Sequence, residues 1–357
     1  MSYQYNGFIS ENIAPKGTKQ IGVYDESGKR LCGIPLGSLT PINKNKLYSF
    51  GLVSDLHVTA EQTATSTHFD NALSYFEQQG CLFCCHAGDM TNIGFWYNSD
   101  DTQMYLGQFE EYKRICDLHP NMPVYGICGN HENYNKVITE NLSELEAYTG
   151  HGLYYTIRYD DELFIFIGQP NSYQTINQEE LQWLYETLEE NRDIRCHIFV
   201  HVFFPNDSGN TKDVYTAYFG SYADNVKSLL NHYKNTILYH GHSHIKFKYQ
   251  ELDKATNYTD KNGFSSIHIP SVGVSHDVVQ NEDGTYKRVP DNSSSMGYVV
   301  DVYDDCLVYN GIDFNKNEFV PTGVFKVDKS IQTIEANSYT DSLGVVTAIK
   351  EVAEGDL

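Results

Sequence analysis

Five short segments of the chain carry side chains suited to binding a cation: Asp55-Leu56-His57, Gly88-Asp89, Gly129-Asn130-His131-Glu132, His201, and His240-Gly241-His242-Ser243-His244. Hard divalent ions accept carboxylate oxygens, and imidazole suits zinc, iron and similar borderline ions. In Asp-x-His at a strand-to-loop junction, both side chains can reach one ion. A single aspartate such as Asp89 can bridge two ions, an amide such as Asn130 can supply a neutral oxygen, and a His-x-His pair can divide between the two. Each residue alone has an ordinary alternative, because a lone His after a strand is usually a satisfied polar residue and an Asp there is usually an N-cap. Five such segments would need every ordinary alternative to hold at once. As a set they describe a paired-metal site.

The segments follow predicted strands. Tyr48 to Ser54, Cys81 to Ala87, Pro123 to Cys128, Cys196 to Val200 and Thr236 to Tyr239 are apolar runs of strand length. Between them lie helical patterns: Thr67 to Gln79 with Phe69, Leu73 and Phe76, then Leu106, Phe109, Tyr112 and Cys116 at spacings of three and four. A further helix starts at Asn177 as N-cap with Glu180 three residues on, and buries Leu181, Leu184 and Leu188. A shorter one runs near Asn225 to His232, and Leu153 to Tyr159 with Leu163 to Gly168 reads as a hairpin. Open α/β sheets hold ligands at the C-terminal ends of their strands, where all five segments fall. Past Ile245 the pattern predicts strands near Lys246–Leu252, Ser265–Ile269, Gly297–Val302 and Cys306–Gly311, a mostly antiparallel finish. Parallel units feeding a second run of strands predict two packed sheets with helices outside. The expected organisation is a β-hairpin extension and linker over 1–46, a catalytic domain over 47–325 and an acidic appendage over 326–357.

Composition bounds the partners. The 357 residues include 47 acidic and 25 basic side chains, a net charge of −22. That disfavours wrapping duplex DNA or docking on an anionic membrane, which require clustered Lys and Arg. No apolar run approaches a membrane span, and Met1 to Asn6 lacks the basic start and apolar stretch of a signal peptide. The eight cysteines are scattered, mostly in apolar stretches, as buried thiols are in a reducing compartment. Cys81-Leu82-Phe83-Cys84 has C-x-x-C spacing but no second ligand pair at zinc-finger distance, which favours core packing. The expectation is a cytoplasmic protein.

The ordered series Asp-x-His, Gly-Asp, Gly-Asn-His-Glu, His and Gly-His-x-His resembles the calcineurin-like metallophosphoesterase superfamily over roughly residues 48–310. The resemblance implies an α/β fold, a four-layer α/β/β/α sandwich of two mixed β-sheets flanked by helices. It implies two divalent ions, manganese, iron or zinc, with manganese favoured in assays. One would take Asp55, His57, Asp89 and His244, and the other Asp89, Asn130, His201 and His242. His131 matches the family histidine that stabilises or protonates the leaving oxygen. Gly88-Asp89-Met90-Thr91-Asn92 departs from the protein serine/threonine phosphatase pattern, and Asn92 stands where purple acid phosphatases carry tyrosine. A phosphodiesterase or phosphatase of small substrates remains, with diesters expected to be cleaved faster than monoesters.

The expected chemistry is in-line attack on phosphorus by a hydroxide bridging the ions, since metal binding lowers the pKa of water from about 15.7 to about 7. His197, His240 and His86 read as structural or supporting residues. Phe95-Trp96-Tyr97, the Phe203–Tyr222 loop, and Ser271 to Gly273 with His276 are candidate pocket edges. Two other classes stay open: a non-catalytic binding or structural protein on the same fold, in which the terminal extensions dock a protein partner, and a nuclease. The scattered Lys113, Arg114, Lys246 and Lys248 make a poor nucleic-acid track.

Overall fold

A computed structural model describes residues 20–24, 30–35, 46–61, 63–94, 102–134, 142–171, 174–204, 219–247, 258–259, 264–282, 284 and 286–346. Phe95 to Tyr97, residues 205–218 of the aromatic loop and Lys248 lie outside them. Near the N-terminus, β1 (Gln20–Tyr24) and β2 (Arg30–Pro35) pair antiparallel.

The first large sheet is built on β3 (Tyr48–Val53), β4 (Cys84–His86) and β5 (Val124–Gly126), which run parallel. Its antiparallel half is β14 (Met296–Val302), β15 (Cys306–Asp313), β16 (Glu318–Phe319) and β17 (Phe325–Asp328), with β14 beside β3. The second sheet centres on parallel β7 (Glu162–Ile167), β8 (Arg195–Phe199), β9 (Thr236–His240) and β11 (Ser265–His268). Antiparallel β6 (Tyr154–Tyr159) and β10 (Tyr258–Thr259) close its edges. A separate hairpin, β12 (Ser275–Gln280) with β13 (Tyr286–Asp291), follows the second sheet.

The alternation of side chains along a strand explains the layers. In β7, Phe164 and Phe166 enter the core between the sheets, while Leu163, Ile165 and Ile167 face the outer helices. In β9, Ile237 and Tyr239 take the inner side and Leu238 the outer. Strands covered on both faces read as continuous apolar runs. Helices α1 (Ala64–Gln79) and α2 (Thr102–Leu118) cover the first sheet through Phe69, Leu73, Phe76, Phe109 and Tyr112. After the short turn α3 (Asn130–Asn133), α4 (Leu142–Thr149) adds Leu145 to that layer. The second sheet is covered by α5 (Gln178–Glu190) and α6 (Ala223–His232). The α5 capping box forms as the sequence predicts, with Asn177 Oδ1 accepting from Glu180 N at 2.9 Å and Glu180 returning to Asn177 N at 2.8 Å. The result is the four-layer α/β/β/α sandwich. Among the described residues no helix is long and apolar enough to cross a membrane.

Local readings differ in physically clear ways. Lys246 and Phe247 are not in a strand, and the rest of the stretch predicted through Leu252 lies outside the described residues. Ile245 makes only an isolated bridge to His276, and the Lys246 ammonium turns to Asp277 and Asp291 on the hairpin. The mostly antiparallel finish is present in β10 and β12 to β17, with β11 the exception, joining β9 in parallel. Hairpin β12–β13 escapes a hydrophobic-period reading because its strands are half-exposed and polar. Residues 326–328 complete β17, and beyond them Ile334, Tyr339 and Val346 lie against the α5–α6 layer. Cys81 and Cys84 are buried free thiols, and burial pushes Cys81 up to about 12.

At the end of the sandwich where β7 and β8 begin, a buried polar cluster joins the two sheets. Glu162 accepts from Arg195, from His197 Nε2 at 2.6 Å and from the Tyr48 hydroxyl at 2.9 Å. His197 Nδ1 meets the Tyr239 hydroxyl at 2.9 Å, which meets Tyr309 at 2.7 Å. Burial alone would raise the Glu162 carboxyl, but His197 and Arg195 outweigh it and hold it down to about 2. A depressed carboxyl stabilises the fold above its unfolded value and loses that stabilisation as pH falls toward its folded one. Between pH about 4.5 and about 2 the loss amounts to about 3 kcal/mol, at about 1.4 kcal/mol per pH unit. Glu162→Gln is expected to flatten this acid limb in urea melts taken from pH 7 to pH 3. It should also lose about 3 kcal/mol at pH 7, because Arg195 is left buried without its carboxylate. An unchanged acid limb would assign the acid sensitivity elsewhere.

Candidate metal centre

The chain leaves β3 at Ser54 and turns at once through Asp55 and His57; it leaves β4 into Gly88-Asp89, β5 into α3, β8 into His201 and β9 into His242 to His244. The first three loops belong to one sheet and the last two to the other, so the site lies where the C-terminal ends of both sheets meet. Asp55, His57, Asp89, His242 and His244 adopt φ of 52°, 49°, 49°, 70° and 60°. They are five of eight non-glycine residues with positive φ among the described residues. Such conformations cost on the order of 1–3 kcal/mol each and persist where surrounding structure imposes them. Close approach is imposed too: a side chain on Gly129 would run into the Asp89 carboxylate, and one on Gly241 into Ser54 and Asp55.

The geometry gathers two groups of acceptors. Asp55, His57, Asp89 and His244 present atoms within 4.8 Å of one another, as do Asp89, His201 and His242. Asp89 belongs to both. Asn130 Oδ1 lies 3.0 Å from His201 Nε2, beside the second group. His244 Nδ1 lies 2.9 Å from the Val274 carbonyl and His201 Nδ1 lies 2.8 Å from the Ala87 carbonyl. A carbonyl can only accept, so both Nδ1 atoms carry protons and both Nε2 atoms turn inward. His244 Nε2 then lies 3.1 Å from His57 Nε2 and 3.1 Å from Asp55 Oδ1. His201 Nε2 lies 3.1 Å from Asp89 Oδ2 and 3.1 Å from His242 Nδ1. Each neutral ring presents an Nε2 lone pair toward carboxylate and amide oxygens, a contact that either a proton or a bound cation satisfies. This donor set, two nitrogens and two carboxylates on one side and two nitrogens, an amide and the shared carboxylate on the other, fits two borderline divalent ions.

The charges tell the same story. Burial would raise Asp89, but His201 and His131 hold its carboxyl well below the usual range. Asp55 is held down by His244 and His201 against the same burial. His201 is pushed up to about 9: burial opposes its charge, and Asp89 and Asp55 overcome it. Burial keeps His57 and His242 well below their ordinary values, so they remain neutral and able to ligate. His131 lies beside both groups with a side chain 16% exposed, its Nε2 3.8 Å from Asp89 Oδ2 and its ring 4.5 Å from that of His57. Burial also lowers its value.

A ring of supporting residues holds the loops. Glu132, to which the sequence pattern assigns no role, accepts from Thr91 N and Oγ1 at 2.8 Å each and from Gly129 N at 2.6 Å, tying the second loop to the third. Its position beside His131 in the motif was the available signal. Ser271 Oγ donates to the Asp55 carbonyl at 2.8 Å, and Gly273 N to the same carbonyl at 3.0 Å. Ser243 is held at its hydroxyl by His268, 2.5 Å away, and at its carbonyl by Arg288 at 2.8 Å. Polar residues scattered over distant strands leave no local signature, so these two were not legible. His276 sits at the edge, its ring 4.9 Å from that of His244. His86 packs against Tyr112 and His197 belongs to the Glu162 cluster, so neither reaches the acceptor groups; His240 is buried near His268 and Phe203.

Comparison with known proteins agrees with this architecture. The model of the calcineurin-like phosphoesterase family matches residues 48–246, more than half of the chain. No curated protein matches the sequence. Among solved structures, a dimetal phosphatase from Danio rerio is 14% identical with a TM-score of 0.55, covering 80% of this chain and 100% of that one. GAP50, the anchor in the inner membrane complex of Plasmodium, is 14% identical with a TM-score of 0.51, covering 84% of this chain and 93% of that one. At such identities the likeness is one of fold. Together with the family match, it means that the chain belongs to the calcineurin-like phosphoesterase family.

Proposed function

We propose that the protein is a metal-dependent phosphoesterase acting on a small phosphate ester, with diesters preferred over monoesters. The observation that carries this reading is the double acceptor cluster sharing Asp89. Asp55, His57, Asp89 and His244 would hold one divalent ion, and Asp89, Asn130, His201 and His242 the other; manganese is the expected assay metal. Two bound ions would lower the pKa of a shared water to about 7 and offset charge developing on the phosphate oxygens. The chain's own work is orientation and proton delivery. Val274 and Ala87 carbonyls aim His244 and His201 inward, and the His242 amide, 3.0 Å from Asp55 Oδ2, fixes that carboxylate. His131, partly exposed beside the acceptor groups, would donate a proton to the leaving oxygen; burial disfavours its charged form and the Asp89 carboxylate opposes that.

A net charge of −22 supports a small substrate over a long polyanion, since two divalent ions reverse the sign only locally. We propose a cytoplasmic protein, away from membranes and duplex DNA, with a protein partner engaging residues 1–46 or 326–357. A second reading, a non-catalytic scaffold, draws support from the fold shared with the GAP50 anchor. It is disfavoured by the complete set of acceptors.

The test is to strip the protein with a chelator, restore manganese, and assay bis(p-nitrophenyl) phosphate beside p-nitrophenyl phosphate. Activity should vanish on stripping, return with metal, and favour the diester. Full activity after stripping would end the metal-dependent reading. A strong monoester preference would overturn the diester assignment, and no activity on any phosphate ester would favour the scaffold.

A further inference from the structure

Tyr134 ends α3 and lies one helical turn after Asn130, so the two side chains share a face. The Asn130 amide is almost wholly buried and uses both ends. Its Oδ1 faces the second acceptor group, 3.0 Å from His201 Nε2, while its Nδ2 donates to the Tyr134 hydroxyl at 2.9 Å. An amide ligates a cation only through oxygen, and its two ends are nearly alike in shape. Something must therefore satisfy and hold the nitrogen end on the far side. Among the hydrogen bonds described, the Tyr134 hydroxyl does this. The Tyr134 ring also stands edge-on to His131, with centroids 5.2 Å apart, so one side chain touches both functional residues of the third loop.

We infer that Tyr134 is a positioning residue that anchors the Asn130 amide with its oxygen toward the second ion and thereby sets the occupancy of that ion. The inference rests on the dinuclear reading above. The hydroxyl bond runs to Asn130, which serves the second group, whereas the first group, Asp55, His57, Asp89 and His244, does not include Asn130, so the change is expected to fall chiefly on the second ion. Tyr134→Phe keeps the ring against His131 and removes only the hydroxyl. Removing the outer partner of a metal ligand typically costs about 10-fold to 100-fold in affinity, and that loss is expected for one ion of the two.

The experiment is calorimetric titration of manganese into the chelator-stripped full chain, with electron paramagnetic resonance reporting the spin-coupled pair. Wild type is expected to take up two ions. Tyr134→Phe should keep one ion at its wild-type affinity and bind the other about tenfold more weakly. The coupled signal should appear only at higher manganese, and turnover should recover there. Tyr155→Phe removes another part-buried hydroxyl, bonded to Gly126 at the end of β5, and should leave both ions unchanged. An unchanged isotherm for Tyr134→Phe would overturn the inference by itself. So would equal weakening of both ions, which would indicate general loosening. Wild type binding fewer than two ions would overturn the dinuclear reading and this inference with it.

Discussion

Asp89→Asn is expected to leave the protein with at most one tightly bound ion and to lower phosphodiester turnover by about a thousandfold or more. The residue is the shared member of both acceptor groups, so its loss is felt by both sites at once. It also anchors the third loop, since its Oδ1 accepts from His131 N at 3.0 Å. An asparagine fills the same space and keeps one acceptor oxygen, but it lacks the charge and offers an NH2 group where a cation needs an oxygen. Losing one preorganised source of charge stabilisation typically costs about 10²–10³ in rate, and here two ions depend on the same atom pair. The measurement is metal content by elemental analysis beside kcat/KM on bis(p-nitrophenyl) phosphate. A variant that kept two ions and turned over within tenfold of wild type would remove Asp89 from the centre of the mechanism.

The second large effect belongs to His131→Gln, and its signature is unevenness. A residue that protonates the leaving oxygen matters most when that oxygen is basic. For alkyl esters kcat is expected to fall by about 10²–10⁴, the usual worth of a positioned general acid. For p-nitrophenyl esters, whose leaving group departs readily as an anion, the loss should be far smaller. Ion content should be unchanged, because His131 is in neither acceptor group. The check is a plot of log kcat against leaving-group pKa, which should steepen in the variant. A uniform loss across leaving groups would make His131 an electrostatic or orienting residue instead.

Residues that act through their own side-chain type at a strand end were legible in the sequence. Asp55, His57, Asp89, Asn130, His201, His242 and His244 are polar residues interrupting apolar runs at regular structural positions, and the structure brings them together. The layered fold was legible for the same reason, since β3, β7, β8 and β9 are buried on both faces and mostly apolar. What escaped was whatever depends on distance in sequence. The link from Ser243 to His268 spans 25 residues and that to Arg288 spans 45. The link from Glu162 to Tyr48 spans 114. Hairpin β12–β13 escaped because its stability comes from Lys246 gripping Asp277 and Asp291 and from backbone pairing, neither of which writes a hydrophobic period.

The left-handed backbone at five positions of the two acceptor groups bears on how this chain could drift under mutation. At each of Asp55, His57, Asp89, His242 and His244, glycine would relax the backbone and remove one of the clustered acceptors in one step. Selection acting on folding alone would thus favour glycine there, although Asp and His bear this conformation better than most side chains. Asparagine, the next most tolerant residue, would erode ligation more gradually. A scaffold that had abandoned chemistry would be free to take those exits, and this sequence has taken none of them.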